Sequence, residues 1–434
     1  MTDQAQKTTV GNYFISNYPP YSFWNPEAVG GLDGLLAKEA PATRDLGVYV
    51  HIPFCRKRCH FCYFKVYTDK NSKEVVRYLD AVGAEAAAYA STPYIAGRKP
   101  RFVYFGGGTP SYLSSQQLEQ LFGRLRESLD WSAVEEVTFE CEPGTLSLAK
   151  LQTLRDLGVT RLSLGVENFN PKILELNNRA HRDVEIERTY GFAREVGFPQ
   201  VNIDLIAGMV GETDENWSDC VRRTCEMQPD SVTIYQMEVP YNTTIYAQMK
   251  DEGAESAPVA DWETKRRWVA EAFGALGQIG FSQNSAYTAN RKGTSFLYRD
   301  SLWHGADMLG LGVSAFSHLG GLHFQNEASF EPYVTGVDKG ELPVSRAYQL
   351  EAEERLIREW ILQLKTGHVL AAEFQDKFGV DPLERFADVL AQHAADGYLN
   401  VESDGVRLTP EGLLLVDGLL PAFFLPQHLS DRYV

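Results

Sequence analysis

The sequence predicts an α/β fold: a partial, TIM-like (β/α)6 barrel of parallel strands with an N-terminal strap and a C-terminal helical, winged-helix-like domain. Three observations carry this. Six short runs rich in β-branched and aromatic residues recur at 47–53, 101–107, 136–143, 161–168, 201–208 and 231–238. Amphipathic stretches, among them 75–90, 115–129 and 184–197, separate them. Such alternation implies right-handed crossovers and a parallel sheet. Each run also ends in glycine or polar residues, and that end of a β/α barrel is where the chemistry sits.

The first 45 residues precede this rhythm. Ser16–Glu27 (SNYPPYSFWNPE) holds Pro19, Pro20 and Pro26 among Tyr18, Tyr21, Phe23 and Trp24. Three prolines exclude a helix, and the aromatic content is too high for a solvated tail. A strap or lid over the barrel mouth, lining the substrate pocket, is expected. The barrel is placed at 46–290, with a further helix at 262–280. A loop-rich connecting segment is placed at 291–345. Residues 346–434 read as a helical pair, a hairpin around Ser403-Asp404-Gly405 and a closing helix. That unit lacks a basic recognition helix, so a structural or substrate-covering role is expected rather than DNA binding.

Composition narrows the function. The 434 residues carry 41 Lys and Arg against 58 Asp and Glu, a net charge of −17. A general nucleic-acid binder needs clustered cations and is excluded. The most apolar stretch, 412–426, is too short for a membrane span and contains Asp417. The first residues, MTDQAQKTT, show no apolar signal core, which makes the cytoplasm the expected location. Six cysteines do not make a disulfide scaffold. Cys141, Cys220 and Cys225 are scattered and read as small buried hydrophobes.

Cys55, Cys59 and Cys62 differ, because CRKRCHFC is a C-x3-C-x2-C triplet directly after the first strand. Three thiolates from one loop can hold three irons of a cubane cluster and leave the fourth open to a small chelating molecule. The rival is zinc, with His51 or His60 as fourth ligand. Zinc more often takes two separated C-x2-C pairs, so the cluster is preferred.

VHIPFCRKRCHFCYF resembles the signature of the radical S-adenosylmethionine (SAM) superfamily, and more narrowly its oxygen-independent coproporphyrinogen oxidase-like branch. YFGGGTPSYL, TFECEPGT, RLSLGVENFN, NRAH and NIDLIAGMVGET have counterparts in the same order, and the likeness runs from about residue 47 to 430. The resemblance implies a barrel of the radical SAM type, a 4Fe–4S cluster on Cys55, Cys59 and Cys62, and two SAM molecules. For the first SAM it implies Phe61 against the adenine, Gly106, Gly107 and Gly108 receiving the methionyl ammonium, Glu140 and Asp204 as acceptors, and Arg179 on the carboxylate. Tyr49, Gly108, Thr109 and Ala207 match positions near the second SAM. Glu167 stands where many members have glutamine, and a carboxylate there can accept from an ammonium. His181 fits a structural hydrogen bond as well as a catalytic role.

Three members of the branch compete. Coproporphyrinogen dehydrogenases carry a further cysteine two positions after the third ligand, where this chain has Phe64. The acidic residues at the mouth (Glu140, Glu142, Glu167, Asp204, Glu238) also poorly suit their tetracarboxylate substrate. Haem chaperones carry HNxxYW where residues 298–303 here read YRDSLW, without the axial histidine. The remaining reading is a methyltransferase or cyclopropanase of an aromatic or heterocyclic small molecule, and it is the expectation set here. In that reading a radical generated from the first SAM acts on the methyl group of the second. Tyr235, Gln236, Tyr287 and His318 are candidates for the final base by position. A reductase or flavodoxin-type electron donor, a monomeric state, and no nucleic-acid or membrane partner complete the expectation.

Overall fold

The computed structural model describes residues 7–9, 11, 13–254 and 256–429. Six parallel strands pair in sequence order: β1 (Leu46–Ile52), β2 (Phe102–Gly107), β3 (Glu136–Cys141), β4 (Arg161–Glu167), β5 (Gln200–Ala207) and β6 (Ser231–Gln236). Their outward residues are apolar and covered by helices, while polar residues such as Arg161, Ser163 and Asp204 alternate with them toward the interior. Two of these helices start on capping boxes: Asn71 with Glu74 opens Ser72–Ala90, and Ser114 with Gln117 opens Ser115–Ser128. The α/β fold and its barrel are therefore as the sequence predicts.

The barrel does not close. Beyond β6 lie β7 (Phe281–Gln283) and β8 (Thr288–Arg291), with β8 antiparallel to β6. Beyond β1 lies β9 (Asp307–Leu311), parallel to it, followed by β10 (Phe316–Leu319), β11 (Leu322–Asn326) and β12 (Val344–Gln349). The full order is β12-β11-β10-β9-β1-β2-β3-β4-β5-β6-β8-β7. This corrects the expectation of a loop-rich segment at 291–345. Its strands are only four to six residues long and joined by glycine-containing turns, so their alternation falls below what periodicity can detect.

Glu85 fastens this extension to the barrel. Its buried carboxylate accepts from the Gly312 amide (2.8 Å), Asn326 Nδ2 (2.6 Å) and the Tyr333 hydroxyl (2.6 Å). Burial nevertheless pushes its pKa up to about 7.

The C-terminal unit has its own core around Trp360, on the helix Ala352–Leu364, with Phe374, Phe386 and Phe423. A three-stranded antiparallel sheet closes it: β13 (His368–Leu370), β14 (Leu399–Val401) and β15 (Gly405–Leu408). The N-terminal segment runs across these parts. Gly11 bridges Val239, Asn25 bridges Ala347 on β12, and the Trp24 ring stacks on His323 at 5.0 Å. No described helix is long and apolar enough to cross a membrane.

Replacing Glu85 with alanine leaves three buried donors without their acceptor. Equilibrium denaturation of Glu85→Ala is expected to show a loss of about 3–5 kcal/mol. A loss below about 1 kcal/mol contradicts the fastening role.

Candidate functional site

The C-terminal ends of the parallel strands open into one cavity of about 1280 Å³, walled also by the N-terminal segment, β8, the β9–β12 extension and the C-terminal unit. The three triplet cysteines lie on its wall. Thr109 Oγ1 donates to Cys55 Sγ (3.3 Å) and Arg179 Nη1 to Cys59 Sγ (3.3 Å). Burial pushes the thiols of Cys55 and Cys62 up, to about 12 and about 11. Their surroundings alone do not ionise them, so thiolate character calls for a bound cation.

The donors fit a cluster better than a single zinc. Among the described residues no three His, Cys, Asp or Glu converge on one point. A cubane instead takes each thiolate on a separate iron. His60 Nδ1 lies 3.1 Å from the Leu176 carbonyl, and His51 Nδ1 lies 3.2 Å from the Tyr49 hydroxyl. The glycine run supplies the close approach such a group needs. A Cβ on Gly108 would lie 3.0 Å from Cys55 Sγ and 2.9 Å from the Ile52 carbonyl. Gly107 has φ +112°, and a Cβ there would lie 2.5 Å from the His51 ring.

Carboxylates line the strand ends beside this ledge. Glu140 accepts from the Tyr104 hydroxyl (2.6 Å) and the Gly107 amide (3.1 Å). Asp204 accepts from Ser163 Oγ and Asn202 Nδ2, both at 2.8 Å. Glu167 sits at an irregularity of β4, with φ 62°, a conformation rare outside glycine, 3.5 Å from Arg179. Burial outweighs these partners and holds Glu140 and Glu167 near 7. Arg179 Nη2 donates to the Gly165 carbonyl at 2.6 Å, which leaves only Nε unpartnered.

Of the residues singled out from sequence, Tyr49, Phe61, Gly107, Gly108, Thr109, Glu140, Glu167, Arg179 and Asp204 reach the cavity wall. So do Tyr235, Gln236, Tyr287 and His318. Gly106 and Ala207 do not. Gly106 packs behind Glu140. Ala207 is fully buried in β5, and its carbonyl accepts from the Met237 amide. Tyr287 donates to Asp417, and the neutral His318 ring lies 3.1 Å from His323. Neither stands free as a base. His181 is buried against the Val166 carbonyl and its pKa is pushed down to about 2, which fits the structural reading.

The acidic mouth read from the sequence is half of the picture. Arg161, Arg266, Arg346 and Arg358 also line the cavity, and none has a carboxylate within ion-pair distance among the described residues. Sequence reasoning missed them. Arg161 begins RLSLGVEN in the same alternating register as Ser163, and Arg358 interrupts an apolar helix face between Ile357 and Trp360. Both are signals, since an arginine is rarely buried without a partner. Phe316 and Met237 are further wall residues that were not singled out as candidates.

Residues 49–223 match the family model of the Radical SAM superfamily, and residues 350–415 that of the HemN C-terminal domain. The oxygen-independent coproporphyrinogen III oxidase of Escherichia coli (strain K12) is 30% identical over 88% of this chain and 85% of its own. That of Pseudomonas aeruginosa is 28% identical over 94% and 92%. The heme chaperone HemW of Bacillus subtilis is 28% identical over 86% and 98%. The solved structure of the E. coli oxidase HemN, a radical SAM enzyme, superposes with a TM-score of 0.83 at 27% identity, covering 96% of this chain and 99% of that one. These similarities overturn the expected methyltransferase or cyclopropanase: the relatives matched over nearly the whole length are oxidases and haem chaperones.

Gly108→Ala pushes a methyl group against Cys55 Sγ and the Ile52 carbonyl. Iron content after anaerobic reconstitution is expected to fall to less than about half of wild type, with far-UV circular dichroism unchanged. Full iron loading of this variant contradicts the close-approach role.

Proposed function

The chain belongs to the radical SAM superfamily, in the family of oxygen-independent coproporphyrinogen III oxidases and the haem chaperone HemW, and on that premise we propose that it oxidatively decarboxylates propionate side chains of a coproporphyrinogen-type tetracarboxylate. As in other members, its cofactors are a 4Fe–4S cluster and SAM, and the size of the cavity suits a second SAM molecule beside the first. The observation that carries the substrate is that several cavity arginines, Arg161, Arg266, Arg346 and Arg358 among them, have no carboxylate within ion-pair distance among the described residues. Guanidiniums left without anions in a largely buried chamber suit a ligand that brings several carboxylates. This reverses the electrostatic objection raised from the acidic residues alone.

Bound together, the cluster and SAM supply one-electron cleavage of the sulfonium, and with it the means to remove a hydrogen atom from an unactivated carbon. Cys55, Cys59 and Cys62 would hold the irons. Glu140, Asp204 and Glu167 would accept from the ribose hydroxyls and ammonium of SAM. Arg179, whose Nη1 now contacts Cys59 Sγ, would pair with the SAM carboxylate. Phe61 would meet the adenine, and Tyr49 and Thr109 would border the second SAM. The strap and C-terminal unit keep bulk water from the reacting carbon. Phe64 cannot donate hydrogen or a proton as a cysteine would. It stacks on Tyr63 at 4.5 Å and is 42% exposed, so it acts at the rim as apolar surface.

Anaerobic incubation with coproporphyrinogen III, SAM and a reductant tests this reading. Products one and two carboxyl groups lighter, formed with deoxyadenosine, are expected. SAM cleavage without carbon dioxide release, or stoichiometric haem binding without turnover, contradicts it.

The carboxylates also set a pH dependence. Glu140 and Glu167 are each ionised only above about 7, and only the ionised form holds an ammonium. SAM affinity is therefore expected to rise between about pH 6 and about pH 8. Glu167→Gln removes one titrating group, lowers affinity at the upper end by about tenfold and flattens the profile. Equilibrium dialysis on reconstituted protein checks this, and a flat wild-type profile removes both carboxylates from the ammonium site.

A further inference from the structure

Two of the cavity arginines come from outside the six-stranded barrel. Arg346 lies on β12 and Arg358 on the helix Ala352–Leu364. Arg358 is 5% exposed. Its Nε donates to Asn17 Oδ1 of the strap at 2.8 Å, while Nη1 is buried with no hydrogen-bond partner. Arg346 donates Nε to Gln325 Oε1 (2.6 Å) and Nη1 to the Tyr21 carbonyl (3.0 Å), and its guanidinium stands 5.9 Å from the Trp24 ring.

Both cations lie near Tyr21, whose hydroxyl accepts from Ser16 Oγ at 3.3 Å. Each pulls the ionisation of Tyr21 down against the opposing effect of burial. The Tyr21 ring packs on Phe316 at 4.4 Å and on Trp24 at 4.9 Å. His318 and His323, on the same wall, are held neutral by burial and by Arg358, so the local positive charge belongs to the arginines. Burial lowers the pKa of Arg358 to about 10, outweighing the opposing pull of the more distant Glu359 and Asp307 carboxylates. Strap oxygens fix both forks, which removes the entropy that free arginines lose on binding.

We propose that Arg346, Arg358 and the Tyr21 hydroxyl form a carboxylate subsite holding a propionate-type side chain of the substrate other than the one that reacts. A carboxylate clamped by two guanidiniums is stabilised in its charged form, which opposes its departure as neutral carbon dioxide. The subsite therefore anchors and orients, and the reacting side chain lies elsewhere. Because the strap supplies Tyr21 and orients both arginines, strap and substrate order one another. The inference rests on the tetracarboxylate reading above.

Coproporphyrin III, a stable tetracarboxylate, and its tetramethyl ester are the probes, titrated by fluorescence into the anaerobically reconstituted full chain with SAM. Wild type is expected to favour the acid over the ester. Arg358→Gln is expected to weaken the acid by about 10- to 100-fold and leave the ester unchanged, and Arg358→Lys to recover part of the loss. Arg346→Gln, which keeps the tie between Arg358 and Asn17, gives the same readout if Arg358→Gln does not fold. Equal losses for acid and ester make the arginines supports of the strap and overturn the subsite. So does an unchanged acid affinity, in both cases leaving the decarboxylase reading intact. No preference for acid over ester in wild type overturns both.

Discussion

Lys365 carries its charge into a position with no exposed surface, and the arrangement of the chain depends on what meets it there. Asp417 lies 2.9 Å from its Nζ, the Ile15 carbonyl accepts from it, and the Phe14 ring stands 4.2 Å away. Asp417 in turn accepts from the Ile15 amide at 3.0 Å and from the Tyr287 hydroxyl. One buried ion pair thus joins the strap, the loop before β8 and two segments of the C-terminal unit. Removing one partner of such a pair strands the other in low dielectric, at a cost of about 3–5 kcal/mol. Glu238 adds to it by accepting from the backbone amides of Tyr13 and Phe14. Ionic and main-chain contacts thus join ring packing in holding the strap: Tyr18 is buried against Phe424 and His428, while Tyr21 and Trp24 reach the cavity wall.

The fold needs this tie because a parallel sheet that stops at six strands leaves a barrel with a missing wall. The β9–β12 extension supplies part of that wall and the strap and C-terminal unit supply the rest. Both parts of the resulting chamber mix charges: the barrel contributes Arg161 and Arg179 beside its carboxylates, and the C-terminal unit contributes Asp417. The barrel half carries the carboxylates Glu140, Glu167 and Asp204 beside the cysteine loop, which suits ligands bearing an ammonium and ribose hydroxyls. The added half carries Arg346 and Arg358, which suits carboxylates.

Much of the barrel half was legible from sequence because its signals are local. Cys55, Cys59 and Cys62 lie within one loop, the glycines of GGG close one strand, and the parallel strands are short runs rich in β-branched and aromatic residues. The added half was not. Its strands are short and antiparallel, and its key residues come from sites as distant as Asn17, Gln325, Arg346 and Arg358, none of which forms a motif. Glu140, Glu142, Glu167, Asp204 and Glu238 stand out in the barrel motifs, whereas the compensating arginines lie singly in ordinary-looking helices and strands. Counting only the visible charges produced the wrong sign for the chamber, and with it the wrong reaction. Ala207 failed for a related reason: strand alternation places it in the core, although its neighbours in the motif reach the wall.

The most direct test is anaerobic turnover with coproporphyrinogen III and SAM deuterated in its methyl group, with mass analysis of the deoxyadenosine. A decarboxylase draws its hydrogen from the propionate side chain, so the account predicts deoxyadenosine free of deuterium, formed together with carbon dioxide. Deoxyadenosine carrying deuterium from the methyl group contradicts it.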